Sequence, residues 1–480
     1  MKKVGLVVLA MLFVTTLACA NSSRIAGMGL QSWMLTDDTN IWFDPAALKD
    51  LGGRAWWEMG SGGAGFTGFE LTNKQWGGIA FGSRLFGAAG VFFGRPYDGI
   101  TPSAGRTAPS VLGVNDDVLS VASFGGPTGV FNVGGVGRPI YSIGANSLQN
   151  VCDIFLGLPL FLPVAVRYTL AAGGGMNSHE FWTTPKANND GLQRCETYAY
   201  EHTIAAGVHL GQLIPILPIE VFGSFGIPIV NSTYMESAWN AGNSKFYFES
   251  TTMTVPGAYN ISVGARLPFE MIGLPVFIFG QYTINNLPAV IASQRDNDAD
   301  DTADRNVIIN RLTNKQTIEG GISVNLKIGQ GLLVGGVAGN WVLTNISAAD
   351  SDPTGNWVIN NYDSFTYTST VISLPIYIAY EHPLFWGFVG RAGLTYTPTW
   401  TQSEAYDCDY NANKVLTTER RVITPTLAGT TIAVSLGLNK QLSDALSFDM
   451  VVRQTGSTAP AYEGILGMFA TQMTVNWLFK

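Results

Sequence analysis

The densest metal-binding chemistry in this chain lies in one acidic stretch, Asp296-Asn297-Asp298-Ala299-Asp300-Asp301, followed by Asp304. Carboxylates alternating at Asp296, Asp298 and Asp300 match the opening of a calcium loop, in which oxygens at alternate positions gather a hard cation. The sixth-position glycine is missing and no glutamate stands at the twelfth, so a solvated outer loop is the competing reading. Calcium is the one cofactor candidate. The histidines are His179, His202, His209 and His382. His202 and His209 lie an odd number of residues apart, so on one regular strand they face opposite sides and cannot share a metal. There is no Gly-x-Ser-x-Gly elbow and no P-loop, and Gly27-x-Gly29 lacks the third glycine and the preceding strand of a dinucleotide site. Cys152, Cys195 and Cys408 follow Cys19 without any CxxC or Cys/His ligand spacing, and their pairing cannot be read from sequence. The reading is therefore of a protein that is not an enzyme.

The elements that would carry these residues are strands. Met473, Val475, Trp477 and Phe479 point one way, and Thr474, Asn476 and Leu478 the other. Leu446, Phe448, Met450 and Val452 alternate with Ser447, Asp449 and Val451; Ile432, Val434, Leu436 and Leu438 alternate with Ala433, Ser435, Gly437 and Asn439. Successive strand side chains face opposite sides of a sheet. One face is large and apolar and the other small or polar, as expected with lipid outside and a wet lumen inside. After a turn read at Glu381 to Leu384, the run from Trp386 to Trp400 places Arg391 on the lumen side. A one-residue slip would put that charge in lipid, at a cost of about 2–4 kcal/mol near the midplane.

Composition agrees. Charged residues make up 13% of the 480, about half the share of a soluble domain, while glycine reaches 56 and aromatics 11%. No apolar stretch of the mature chain is long enough to span as a helix. A spanning chain without such helices must be a closed barrel, because lipid satisfies no exposed backbone group. A large secreted sandwich or solenoid is the soluble alternative. The net charge of −8 shows no basic stripe and excludes a general nucleic-acid role. Lys2, Lys3, an apolar run from Val4 to Leu17 and the small residues Ala18-Cys19-Ala20 read as a secretory signal over residues 1–20; a lipidated Cys19 is the rival reading. Strand-like runs recur between turn clusters, about fourteen to sixteen of them, and fourteen is the even number chosen. Val118–Phe124 is one of these runs. Leu-Pro phrases at Pro163, Pro218, Pro275 and Pro375 read as strand entries or kinks. The polar stretches Ala292 to Arg305, Ala348 to Asp363 and Gln402 to Arg420 read as long outward loops.

Between the leader and the first strand lie Ser23-Arg24-Ile25-Ala26-Gly27-Met28-Gly29, then Thr36-Asp37-Asp38, then Trp42-Phe43-Asp44-Pro45-Ala46-Ala47-Leu48. This stretch resembles the N-terminal signature of the FadL-type outer-membrane superfamily, the transporters of long-chain fatty acids and other hydrophobic compounds, and it looks equally like the PorV-type branch. The usual phrase has asparagine before proline-alanine; here Asp44 stands there, and a carboxylate cannot donate as an amide does. The resemblance implies an all-β, fourteen-stranded transmembrane barrel (residues 52–480) whose N-terminal segment (21–51) folds inward as a hatch, with Arg24, Gly27, Met28, Gly29, Asp44, Pro45 and Ala46 as the hatch motif. Read from the residues alone, Asp44 is a helix cap with Pro45 at the first position.

The expected role is passive passage of hydrophobic or amphipathic small molecules, fatty acids among them, across the bacterial outer membrane. The partners would be the lipid bilayer and the small-molecule ligand, with no nucleic acid. The alternative is a PorV-type barrel that supports protein secretion or surface attachment, partnered by the secretion machinery or by secreted proteins. A continuous apolar tunnel would favour the first role and a plugged lumen the second.

Overall fold

The computed structural model describes residues 22–51, 53–59, 75–83, 87–95, 130–133, 136–139, 150–159, 163–181, 191–212, 218–240, 245–296, 305–351, 361–411, 416–443, 445–456 and 472–478. The leader at 1–20, the run at Val118–Phe124, and Asp298 and Asp300 of the acidic stretch lie outside these residues.

The strands are β1 (Arg54–Met59), β2 (Gln75–Ser83), β3 (Gly87–Phe93), β4 (Asn150–Pro159), β5 (Pro163–Phe181), β6 (Gly191–His209) and β7 (Glu220–Asn240). β8 is interrupted (Lys245–Thr254, then Tyr259–Met271) and is followed by β9 (Leu274–Asp296), β10 (Arg305–Ile328) and β11 (Gly331–Ser351). β12 is interrupted too (Asn361–Ser373, then Ile376–Pro383), and β13 (Phe388–Asn411), β14 (Leu416–Gln441), β15 (Leu446–Gly456) and β16 (Gln472–Leu478) complete the wall, while Val130–Val133 and Val136–Pro139 pair as a separate two-stranded sheet. Every neighbouring pair is antiparallel, and β1 pairs with β16 from Arg54↔Leu478 to Met59↔Met473, which closes the ring. The sheet holds 18 ladder segments. Both halves of β8 sit between β7 and β9, and both halves of β12 between β11 and β13, so sixteen strands make the wall.

The count of fourteen is corrected by identifiable features. β1 carries Arg54 and Glu58 and has no clean apolar alternation. β4 contains Asp153 and ends at Pro159, which interrupt its apolar run. The two halves of β8, in contrast, each carry a strand pattern of their own although together they occupy one place in the wall. Pro163 opens β5 and Pro275 is the second residue of β9, Pro218 stands just before β7, and Pro375 breaks β12. Proline cannot donate to a ladder, so these are the positions it tolerates.

The alternation runs as the sequence indicates. Ile378 is 56% exposed and Leu394 45%, whereas Ala379 and Glu381 are each 1%. Ile432, Val434 and Leu436 face outward; Ala433, Ser435 and Asn439 are buried inward. Tyr198, Tyr200, Tyr396 and Trp400 lie at one edge of the outward band, and Trp57, Phe385, Trp386 and Trp477 at the other. Beyond Trp400 the outer face carries an exposed ion pair, Arg421 Nε to Glu404 Oε1 at 2.7 Å. Such a pair belongs in water.

The long polar stretches are corrected as well. Residues 297–304 and 352–360 of the first two lie outside the described residues. In Gln402 to Arg420 the described residues are strand: β13 runs on to Asn411, and β14 begins at Leu416 and has 26 residues. At roughly 3.3 Å per residue that is about 85 Å of ribbon, and a tilt of roughly 40° leaves about 65 Å of height against an apolar band about 25 Å tall. Threonine, tyrosine and valine keep these segments extended after the apolar face stops, because β preference does not require lipid.

Candidate functional site

Residues 22–51 form no strand. They make a short helix, α1 (Ser22–Met28), and three single turns at Ser32–Met34, Asp38–Trp42 and Pro45–Asp50. α1 ends in a Schellman motif: Gly29 N–H donates to the Ala26 carbonyl and Leu30 N–H to the Ile25 carbonyl, both at 3.1 Å. Gly29 has φ +61°, the left-handed conformation this cap requires. Asp37 caps the next turn in a reciprocal box with Asn40. Asp44 caps the last turn, its Oδ1 accepting from Ala46 N–H at 3.0 Å with Pro45 at the first position.

This segment packs on the lumen face of the wall at the short-turn end. α1 touches β12 to β16, the first turn touches β9 and β10, and the last turn touches β2 to β6. Met28, Met34, Ile41 and Leu48 are fully buried. Trp33 stacks on Phe279 at 5.2 Å. Trp42 sits edge-on to Trp56, Trp76, Phe92 and Phe155, with centroids 5.1–6.5 Å apart. These pairs have the T-shaped geometry that aromatic quadrupoles favour.

A chain without strands leaves its carbonyls unpaired, and the wall supplies donors. Thr395 Oγ1 donates to the Gly29 carbonyl at 2.9 Å, Arg266 Nη1 to Leu35 at 3.0 Å, and Arg167 Nη1 to Trp42 at 2.7 Å. Ser323 Oγ and Asn325 Nδ2 both donate to Met34, each at 3.3 Å. Behind these contacts stand arginine–carboxylate clusters. Arg24 of α1 makes a two-pronged pair with Glu381, at 3.0 and 2.9 Å. Glu381 also accepts from Arg391 Nε at 2.6 Å, and Arg391 reaches Asp449. Arg266 pairs with Glu220, Arg95 with Asp153, and Arg54 of β1 with Asp38 of the segment.

Each residue of the sequence-derived motif has a place. Arg24 is ion-paired, Gly27 lies against Gly437, the Met28 carbonyl passes over Gly393, Gly29 ends α1, and Asp44, Pro45 and Ala46 open the last turn. Close approach explains the wall glycines, since an added Cβ at Gly393 would overlap the Met28 carbonyl and one at Gly207 would overlap Asp44 Oδ1. Glu381 is a correction: it is the sixth residue of the second half of β12, directly opposite Arg391, and the turn comes after Pro383. His202 faces outward and bonds the Tyr168 hydroxyl at 2.8 Å, while His209 meets Asp44 at 2.5 Å. Cys152 and Cys408 are free thiols.

Directly above the segment the lumen is mostly polar. Gln281, Thr283 and Asn285 of β9 share that face with Lys315, Thr317 and Glu319 of β10 and with Asn340, Val342 and Thr344 of β11, and Leu287 and Ile346 follow beyond them.

The acidic pair at Asp37 and Asp38 gives a pH dependence. Burial pushes both carboxyls up, Asp38 to about 7 against the pull of Arg54. Between the ordinary carboxylate value and about 7, the seated segment holds a proton that the released segment does not. Seating is therefore strongest below that window and weakens as pH rises through it. Amide protection over residues 32–42, taken relative to the intrinsic exchange rate at each pH, is expected to be higher at pH 5.5 than at pH 8, and equal protection at both would contradict this.

A closed antiparallel sheet with an apolar belt, aromatic edges and charge beyond them faces lipid. The protein is an outer-membrane β-barrel. No family model and no curated protein matches the chain. Among solved structures it is similar to the translocator domain of the autotransporter NalP from Neisseria meningitidis, at 13% identity over 65% of this chain and 88% of that one, with a TM-score of 0.26. It is similar to the alcaligin receptor FauA from Bordetella pertussis at 9% identity, over 88% and 75% of the two chains, with a TM-score of 0.27. A mutant of the ferric enterobactin receptor PfeA from Pseudomonas aeruginosa gives 8% identity, 89% and 81% coverage, and a TM-score of 0.23. Likeness at this level carries no argument about cargo, and the assignment rests on the ladder and the belt.

Proposed function

We propose that the protein is a gated outer-membrane channel for small amphipathic molecules, with residues 21–51 as its hatch. One observation carries this reading: a sixteen-strand ring is wide enough to leave an aqueous channel, and here its inner end is filled by a segment that is not part of the wall. The segment is held by side-chain contacts and so is separable from the sheet. The N-terminal resemblance to FadL-type transporters supports the same reading. The lining directly above the hatch is mostly polar, which favours cargo with a polar head and lends no support to fatty acid in particular.

The PorV-type reading keeps one observation in its favour. Four ion-paired clusters around the segment are what a permanent plug would also have.

Proteoliposomes holding the full chain separate the two. On the channel reading, a labelled medium-chain carboxylate enters slowly through the wild type and faster when the hatch is loosened by Gly393→Val. Equal and negligible uptake by both proteins would overturn it and leave the secretion-support role as the better account.

A further inference from the structure

We propose that Asp44, His209 and Glu220 form a binding site for a divalent transition-metal ion, with zinc the best match, that fastens the N-terminal segment to the barrel wall. One ligand atom from each of the three residues lies within 4.8 Å of the others. The residues come from different places in the chain. Asp44 belongs to the segment; His209 ends β6 and Glu220 begins β7, and these two are direct partners across the ladder. Ladder partners present their side chains on the same face, so imidazole and carboxylate converge by register.

The surroundings shape the cluster. Gly207, two residues before His209 on the same face, leaves the space that Asp44 occupies. Asp44 Oδ1 is committed to Ala46 N–H, which turns Oδ2 toward His209 Nε2. Arg266 holds Glu220 from the far side, Nε to Oε2 at 2.5 Å and Nη2 to Oε1 at 3.1 Å. Each carboxylate oxygen has two lone pairs, so Glu220 keeps one for an ion. Two carboxylates against one guanidinium leave the cluster with one negative charge in excess, which favours a cation. One nitrogen and two oxygens suit zinc and its neighbours, with water completing the shell; calcium and magnesium prefer oxygen alone. The fit requires a small adjustment. Bonds of about 2.0–2.1 Å set tetrahedral ligands about 3.3 Å apart, so Asp44 and His209 would separate by less than about 1 Å as the ion replaces the proton between them. That proton moves to Nδ1 by a change of tautomer. The site is at the strand ends on the short-turn side, where an ion arrives without crossing the lumen.

The test uses untagged full-length protein in detergent, stripped with a chelator and titrated with Zn²⁺ by calorimetry and with Co²⁺ by its d–d absorption. We expect one equivalent per chain and a tetrahedral Co²⁺ spectrum. His209→Gln should weaken binding by at least about 100-fold, the upper end of what outer-shell changes alone cost. His202→Gln, at an outward-facing histidine, should bind as the wild type does. Zn²⁺ should slow amide exchange at residues 43–51 in the wild type and not in His209→Gln. Heat-modifiable migration on gels shows that each variant is a folded barrel. An absence of saturable binding by the wild type, or undiminished binding by His209→Gln, overturns the proposal, and neither result depends on whether the barrel transports anything.

Discussion

Glu381→Gln is expected to unseat the N-terminal segment while leaving the barrel folded. In the wild type, two guanidinium groups, Arg24 and Arg391, share two carboxylates, Glu381 and Asp449, and all four residues are buried. The substitution keeps the shape of Glu381 and removes its charge, so two buried cations face one anion. Breaking a buried pair from one side costs about 3–5 kcal/mol, because the remaining charge stays desolvated. Arg391 retains Asp449, so the loss falls on the two hydrogen bonds by which Arg24, and with it α1, is tied to Glu381. At 1.4 kcal/mol per decade, the seated-to-released ratio drops by roughly two to three and a half decades. Hydrogen exchange at residues 22–31 reads this directly and single-channel conductance reads its consequence. Arg24→Met in the same chain should restore much of the protection, since it removes one of the two buried cations and fills the space with apolar volume. Unchanged exchange in Glu381→Gln would show that the cluster does not hold the segment.

Gly393→Val acts by volume. Its Cβ position is fixed by the strand backbone, and any Cβ there overlaps the Met28 carbonyl. No rotamer relieves this, so α1 must move. Valine favours the strand, so the wall itself is not weakened. The displacement separates Thr395 from the Gly29 carbonyl and Arg24 from Glu381, which are the bonds that tie α1 down. Exchange should rise across residues 22–30 by two decades or more and far less at residues 40–48, where Trp42 stays inside its cage of four rings. Uniform release of the whole segment would mean that it docks as one unit; no release would mean that the wall gives way instead.

Much of the barrel was legible in the sequence because lipid enforces a strict rule. Residues such as Leu394, Ile432 and Trp477 can sit only on the outside, and a period of two then fixes their neighbours, Arg391 included. The strand number was less legible where that rule lapses. β1 and β4 bury Glu58 and Asp153 on the lumen side, Asp153 against Arg95, and their alternation is obscured. The upper halves of β13 and β14 are in water, where no apolar face is needed. Glu381 was hidden by its neighbours: His382 and Pro383 made the run look like a turn. The parity of Tyr377, Ala379 and Glu381, set opposite Arg391, was the signal that could have found it. The cluster of Asp44, His209 and Glu220 had no such signal. Asp44 reaches His209 across 165 positions of chain, and period-two patterning carries no information about which side chain crosses the lumen to meet which.

The tall part of the wall has a consequence for whatever meets this protein from outside the cell. Above the bilayer the chain is still a paired ribbon, so two residues adjacent in sequence look in opposite directions, one toward the surroundings and one toward the interior of the tube. An antibody or a phage fibre therefore contacts every second side chain on several neighbouring ribbons at once. Its epitope is a patch of woven surface, and a free peptide copied from any one ribbon would present the hidden residues along with the visible ones and match it poorly.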